Sequence, residues 1–359
     1  MLSHSIKEMI FYKVRYLLIL FILFFIASLV FIINGLANGL SMDNASSIKK
    51  MNAESFFLDK DSENRIDRSK LTMGEISEDD FSANMQPLGI SMTSMGIEKS
   101  DKDIEVTLMA INSASFLEPI AKEGKGLSNK KVNEVVLDDS LKQEGIKLGQ
   151  KLRDEKSGVW LEVIGFTSNQ TFSHTPVAFI TFDTWKEINL EPFYSAIVVQ
   201  NSSDSMEDIS NKVNDGGWIE KEFVVKGIPG YEAEQNSLFM MLAFLIVIAV
   251  FVLGAFFYIM TIQKTNQFGI LKAIGAKTAY LCKSTLLQVM ILTMISLIAA
   301  VGFTWAIFLV LPEDIPFLFD PIQIAKFSGI IAIVSIFGSL LSTFNIIQAD
   351  PIQAMGRVE

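Results

Sequence analysis

The chain has 359 residues, half of them hydrophobic and only 19% charged, with a formal net charge of −10. That is too apolar for an ordinary soluble chain of this size and too polar for one lying wholly in a bilayer, so part of it belongs in each medium. Residues 40–236 carry 21 Lys and Arg against 34 Asp and Glu, so the acidity is concentrated there and a basic nucleic-acid footprint is excluded.

The first apolar run, residues 16–33, has 18 residues without a charge. As a helix it would be ~27 Å long, about the depth of a bilayer core. It exceeds a signal-peptide core and no small-x-small cleavage site follows it, so residues 1–39 read as a short N-terminus and transmembrane helix 1. Residues 40–236 read as a separate α+β domain. Strand-like runs fall at 104–110, 132–137, 159–166, 177–182, 196–199 and 223–225, and helical stretches at 139–144 and 205–213. Residues 61–80, charged and poor in apolar side chains, read as a mobile surface stretch. Met85, Met92 and Met95 fall in a loop-like stretch, as a soft contact surface or the edge of a core.

Three further uncharged runs follow, at 237–262, 284–311 and 327–347, each long enough to span. They are joined by a loop at 263–283 and a short one at 312–326, and end in a tail at 348–359. Lys7, Lys13 and Arg15 precede the first span, and Lys264, Lys272, Lys277 and Lys283 lie between the second and third. The short loop 312–326 instead carries Glu313, Asp314 and Asp320 against Lys326. By the bias of Lys and Arg toward the cytoplasm, both termini and 263–283 face inward. The acidic domain and 312–326 then face outward, in a plasma membrane. The expected fold class is an α-helical membrane protein of four transmembrane helices, with an extracytoplasmic α+β domain between helices 1 and 2.

The loop 263–278 reads as a short amphipathic helix, with Phe268, Leu271 and Ile274 as one apolar stripe and Gly275 suited to a turn. Gly269, Gly275, Lys277 and Thr278 have the residue types of a phosphate loop. Their spacing is wrong and no strand precedes them, so ATP binding by this chain is rejected. The single cysteine, Cys282, excludes an intrachain disulfide and reads as a small buried residue. Two histidines, His4 and His174, exclude a His-rich metal site. No Ser/His/Asp constellation or paired carboxylates mark an enzyme. Gly35-x-x-x-Gly39 would let two helices approach closely in a membrane, or would fray at its surface.

The segment Phe268-Gly-Ile-Leu-Lys-Ala-Ile-Gly-Ala276 resembles the signature of MacB/FtsX-type ABC transporter permeases, and Asp350-Pro-Ile-Gln-Ala-Met-Gly356 looks like that family's end. Residues 132–166 are similar to its MacB-like extracytoplasmic domain, and one span, a large domain and three spans is its layout. Phe11-Tyr-Lys-Val-Arg-Tyr16, Ile33-Asn-Gly-Leu-Ala-Asn-Gly-Leu40, Tyr231-Glu-Ala-Glu-Gln235 and Ala255-Phe-Phe-Tyr-Ile-Met-Thr-Ile-Gln-Lys-Thr265 resemble the haem-efflux (Hrt-type) permeases of Gram-positive bacteria. The resemblance implies a permease homodimer with two copies of a separate ATPase that binds ATP. It also implies no cofactor of the chain's own, and haem as the substrate. Phe268, Gly269, Leu271, Lys272, Gly275 and Lys277 would couple to the ATPase, and Gly35 and Gly39 would meet the second copy.

Haem iron accepts His, Met, Tyr or carboxylate ligands, and the macrocycle wants apolar walls. Residues near the outer ends of spans 1 and 2 offer such groups: Met51 and Glu54 after the first, Tyr231 and Glu234 before the second, Met240 and Met241 opening it. A carboxylate at a membrane boundary is costly, which singles out Glu234. His174, in a turn, is the one histidine on the outer side. Each also has a bland reading: Tyr as an interfacial anchor, Met as a span residue, His as a solvated loop residue. Efflux of an antimicrobial peptide or another amphiphile, mechanical signalling to a cell-wall hydrolase, and sensing through a kinase stay open beside haem efflux.

Overall fold

The computed structural model describes residues 2–348 apart from 75, 77–79, 99–101, 202–204, 214 and 313–314. The motif at 350–356, Glu313 and Asp314 lie outside the described residues. The chain forms two compact units, one of residues 1–39 with 236–359 and one of residues 40–235. Both boundaries fall within long helices.

Helix α1 (Leu2–Phe11) leads through Tyr12 into α2 (Lys13–Lys50). At 1.5 Å per residue, the 38 residues of α2 reach ~57 Å, nearly twice a bilayer core. The helix continues far past the apolar run because residues 34–50 contain no proline and are otherwise compatible with it.

The inserted unit is built on an 11-stranded mixed sheet. Its first strands are β1 (Ser55–Asp59), β2 (Leu71–Thr72), β3 (Met85–Ile97), β4 (Asp103–Ile111) and β5 (Glu123–Gly124). Next come β6 (Glu134–Asp138), β7 (Lys151–Asp154), β8 (Trp160–Thr167), β9 (Thr171–Phe172) and β10 (Thr175–Thr181). Helix α3 (Phe182–Ile188), β11 (Phe193–Tyr194), β12 (Ala196–Val199), α4 (Ser205–Lys212), β13 (Gly216–Glu220) and α5 (Lys221–Gly227) complete it. The main path runs β13-β1-β12-β3-β4-β10-β6-β8-β5, with β7 and β9 paired off it and β11-β2 a separate pair. Pairs β4–β10 and β6–β8 are parallel.

Successive strand residues point to opposite faces, and both faces are covered. Phe57, Leu108, Ala110 and Val135 pack with Trp185 of α3 and Ile209 of α4. Their neighbours Phe56, Leu58, Met109, Ile111 and Val136 pack with Ala45 and Ile48 of α2 and Val224 of α5. Two-sided burial explains why β4 and β12 read as nearly continuous apolar runs.

Several expectations for this unit change. Residues 223–225 are helical in α5, whose Val224 and Val225 present an apolar face to the sheet. Residues 139–144 begin as one 3₁₀ turn over Asp139–Lys142, capped by Asp138. The methionine stretch is β3, with Met85 and Met95 in the core and Met92 exposed. The described residues of 61–80 are tied down at Ile66, Ser69, Leu71 and Ile76, all buried.

Helix α6 (Tyr231–Gln263) leaves the inserted unit, and α7 (Thr265–Ala273), α8 (Thr278–Val310) and α9 (Pro321–Gln348) follow. Among the described residues, α2, α6, α8 and α9 are long and apolar enough to cross a membrane. Tyr16, Ile19 and Leu23 of α2 pack with Leu253, Phe257 and Met260 of α6 and Val289 and Leu292 of α8. Thr261, Thr285, Thr304 and Ser335 turn their hydroxyls onto the carbonyls four residues back. That satisfies polar side chains where no water is at hand.

Candidate functional site

Three segments of the inserted unit converge on His174: the end of α2, the β9–β10 hairpin and the start of α6. The hairpin loop is two residues, Ser173 and His174, with φ of 50° and 62°. Positive φ at both centres is the type I′ pattern, which normally takes Asn-Gly. Non-glycine residues there cost of order 1 kcal/mol or more each and persist only where the surroundings hold them. Here Ser173 N–H donates to the Asn44 carbonyl at 2.7 Å. His174 Nδ1 lies 2.6 Å from Asp43 Oδ2, and Nε2 lies 2.9 Å from Glu234 Oε1. Asn44 Nδ2 is 3.0 Å from the same Nε2 and 3.4 Å from Glu234 Oε2.

Partial burial works against the charged imidazole, but hydrogen bonds to Asp43 and Glu234 outweigh it and raise the His174 pKa above its ordinary value. Carboxylates on both ring nitrogens favour the charged imidazole more than in a free histidine.

Beside this cluster, Tyr231 at the first position of α6 shares a 2.9 Å hydrogen bond between its hydroxyl and Ser41 Oγ. Lys49 Nζ stands 4.9 Å from the Tyr231 ring centroid and also donates to Ser41. Of the haem-ligand candidates, Tyr231, Glu234 and His174 therefore lie in one region of the inserted unit. Met51 does not join them: its side chain is 8% exposed within the hydrophobic cluster of Phe56 and Ile48. Its carbonyl instead accepts from Lys221 Nζ at 2.6 Å. Glu54 is exposed at the edge of β1, with its backbone paired to Val199 and Lys221. Met240 and Met241 are 58% and 50% exposed on α6. Ser41, Asp43, Asn44 and Lys49 escaped the sequence reading, which ended the first helix at residue 39.

A second group surrounds α7. Gly275, at φ 103°, ends the helix. Ala276 N–H reaches the Leu271 carbonyl at 2.9 Å, and Gly275 N–H reaches that of Lys272 at 3.0 Å. This is a Schellman stop, which needs a residue free of Cβ at the left-handed position. Phe268 is buried with Leu281 while Leu271 packs beside them. Gly269 is buried, Lys272 half-buried, and Lys277 is the exposed N-cap of α8. The expected stripe of Phe268, Leu271 and Ile274 is thus split. Phe268 and Leu271 face the protein, whereas Ile274, 79% exposed, stands out with Ile270 one turn before it.

Immediately before α7, Lys264 is 1% exposed. Its Nζ lies 2.5 Å from Glu8 Oε1, 2.6 Å from the Tyr16 hydroxyl and 2.9 Å from Gln288 Oε1. Gln288 Nε2 closes the ring onto Glu8 Oε2 at 2.6 Å. One ammonium so joins α1, α2 and α8 at the entry to α7.

Gly35 and Gly39 have a partner within their own unit. A Cβ at Gly35 would strike the Phe317 ring, and one at Gly39 the Pro316 carbonyl. Leu318 N–H donates to the Gly35 carbonyl at 3.0 Å. Within the chain itself these glycines admit the close approach of the 316–318 segment.

Four helices long and apolar enough to span, interrupted once by a large mixed-sheet domain, define a polytopic membrane protein. Residues 239–351 match the FtsX-like permease C-terminal family. HrtB of Staphylococcus haemolyticus, whose name describes a hemin transport system permease, is 30% identical over 357 residues, 98% of this chain and 99% of that protein. HrtB proteins of two Staphylococcus epidermidis strains are 31% and 32% identical over 351 residues, covering 98% of each chain. The chain belongs to the FtsX-like permease family, as a permease component of an ABC transporter. Among solved structures, the periplasmic region of MacB from Actinobacillus actinomycetemcomitans aligns at a TM-score of 0.38 and 15% identity. It covers 48% of this chain and 90% of that one. The extracellular domain of the ABC-type transporter YknZ gives 0.32 and 17%, over 45% and 87%.

Proposed function

We propose that this permease expels haem from the membrane, driven by ATP hydrolysis in a separate ATPase, two copies of each subunit forming the pump. The whole-length likeness to the HrtB proteins, at 30–32% identity, carries the reading. In it, residues 40–236 and 312–326 lie outside the plasma membrane, while the termini and residues 263–283 face the cytoplasm. Spans follow the bounds 237–262, 284–311 and 327–347.

The chemistry on the inserted unit is consistent with such a substrate. Tyr231 and Glu234 offer oxygen ligands, and His174 a nitrogen, within one cluster. Tyr231 is held by Ser41, His174 by Asp43, and Glu234 by Asn44 and His174, so taking up iron means exchanging those partners. Protonated His174 has no lone pair for a metal. Glu234 and Tyr231 are therefore the stronger ligand candidates, and His174 serves as the cation that holds Glu234 in place. On the other side, Ile270 and Ile274 form the apolar step that seats in the ATPase, with Phe268 and Leu271 bracing it from behind.

A haemin titration of the detergent-solubilised permease tests this. The reading expects a saturable Soret shift, altered by Tyr231→Phe or Glu234→Gln. A spectrum identical to haemin in detergent alone, with and without the ATPase, contradicts it. The excess of acidic residues in 40–236 suits a cationic amphiphile better than the propionates of haem. A cationic peptide that stimulates ATP hydrolysis where haemin does not would favour that second reading.

A further inference from the structure

A groove of about 680 Å³ runs between the start of α2 and the end of α6. Leu18, Phe256, Ile259 and Met260 form its apolar walls, and Lys13 and Arg15 stand in its lining, which contains no carboxylate. Neither cation makes an ion pair among the described residues. The nearby Glu8 is held by Lys264 and Gln288. Arg15 lies with Cζ 5.1 Å from the Tyr12 ring centroid. Its Nη1 is buried without a hydrogen-bond partner. A guanidinium N–H removed from water and left unmet is costly, so this arrangement is poised for an acceptor the protein does not supply.

From these observations we infer that the groove is a binding site for an anionic phospholipid. The ligand must bring negative oxygens to Arg15 and Lys13 and an apolar tail to walls that belong to membrane-spanning helices. A phosphodiester offers two oxygens to the planar guanidinium fork, with Lys13 as a second point charge. Its acyl chain lies along Leu18 and Ile259. Basic pockets between membrane helices take anionic headgroups by the same physics. The lipid site depends on the membrane reading alone and stands whether or not haem is the substrate.

The test uses the full-length permease in detergent, with phosphatidylglycerol and phosphatidylcholine of identical chains as probes. Bound lipid is read by native mass spectrometry and the unfolding midpoint by a thermal scan. Phosphatidylglycerol is expected to be retained at one per chain and to raise the midpoint, while phosphatidylcholine does neither. Arg15→Gln weakens retention about tenfold, Arg15→Lys weakens it less, and Lys326→Gln, on α9, leaves it unchanged. Should Arg15→Gln fail to fold, Lys13→Gln and Arg15→Lys carry the comparison. Equal retention of the two lipids overturns the proposal, as does indifference to substitution at both cations. It is also overturned if Arg15→Gln abolishes haemin binding without affecting phosphatidylglycerol, which would make the groove a propionate site. A change of oligomeric state alone would assign it to a second copy.

Discussion

Lys264 Nζ and Glu8 Oε1 lie 2.5 Å apart, and the lysine is 1% exposed. Burial pushes the Lys264 ammonium below its ordinary pKa, and Glu8 works against that push. The pair fixes the entry to α7, because Lys264 is its N-cap residue. Removing one member of a buried pair strands the other and costs about 3–5 kcal/mol. Glu8→Ala is expected to lower the unfolding midpoint in detergent sharply. Lys264→Met combined with Glu8→Gln should recover most of the loss, since no charge is then left buried.

The His174 cluster gives a pH dependence of definite sign. Its carboxylate partners are Asp43 on α2 and Glu234 on α6. The folded pKa is raised, so the stabilisation is fully present below the unfolded value of ~6.5. It is lost as pH rises through the folded value. The midpoint difference between wild type and His174→Gln should therefore be largest in mild acid and shrink in alkali. A difference that grows with pH would contradict the cluster's charge state.

Coupling to the ATPase should depend on Ile270 and Ile274, the exposed step of α7. An aspartate at either position places a charge in the core of the contact, where single truncations commonly cost more than ~1 kcal/mol. Ile274→Asp is expected to weaken ATPase binding about tenfold in pull-down titrations while leaving the permease fold intact. Phe268→Ala, by contrast, should lower stability, because Phe268 packs on Leu281.

Gly39→Val drives a branched side chain into the Pro316 backbone. Such overpacking costs typically ~1–3 kcal/mol. Thermal scans should register it at equal protein concentration, with the oligomeric state of the folded fraction unchanged. Loss of the dimer without loss of stability would show that these glycines face a second copy instead.

The spans were legible because length without charge is a one-dimensional signal. Their extents were not: α2 runs on to Lys50 and α6 begins at Tyr231. The flanking residues are polar enough to look like loop, yet contain nothing that stops a helix. That continuation carries Ser41, Asp43, Asn44 and Lys49 to Tyr231 and His174, contacts more than 125 residues apart in sequence. Strands with unbroken apolar runs such as β12 were visible. β3 was not, because its methionines, serines and glycines carry weak strand preference and pairing with β12, β4 and β7 fixes them. The Val-Val of α5 looked like strand, and burial of one face made it helix. The spacing at Gly35 and Gly39 leaves room for a close approach, which the chain's own 316–318 segment makes in this structure.

ATP-driven haem release is measured in proteoliposomes. Permease and its partner ATPase are co-reconstituted with haemin in the bilayer, and a haem-binding apoprotein reports release by its absorbance. ATP-dependent release is expected to fail with Glu234→Gln and with Ile274→Asp, for different reasons: the first loses haem binding, the second loses only coupling. ATP hydrolysis at full rate with no haem released, and no response to either substitution, would contradict it.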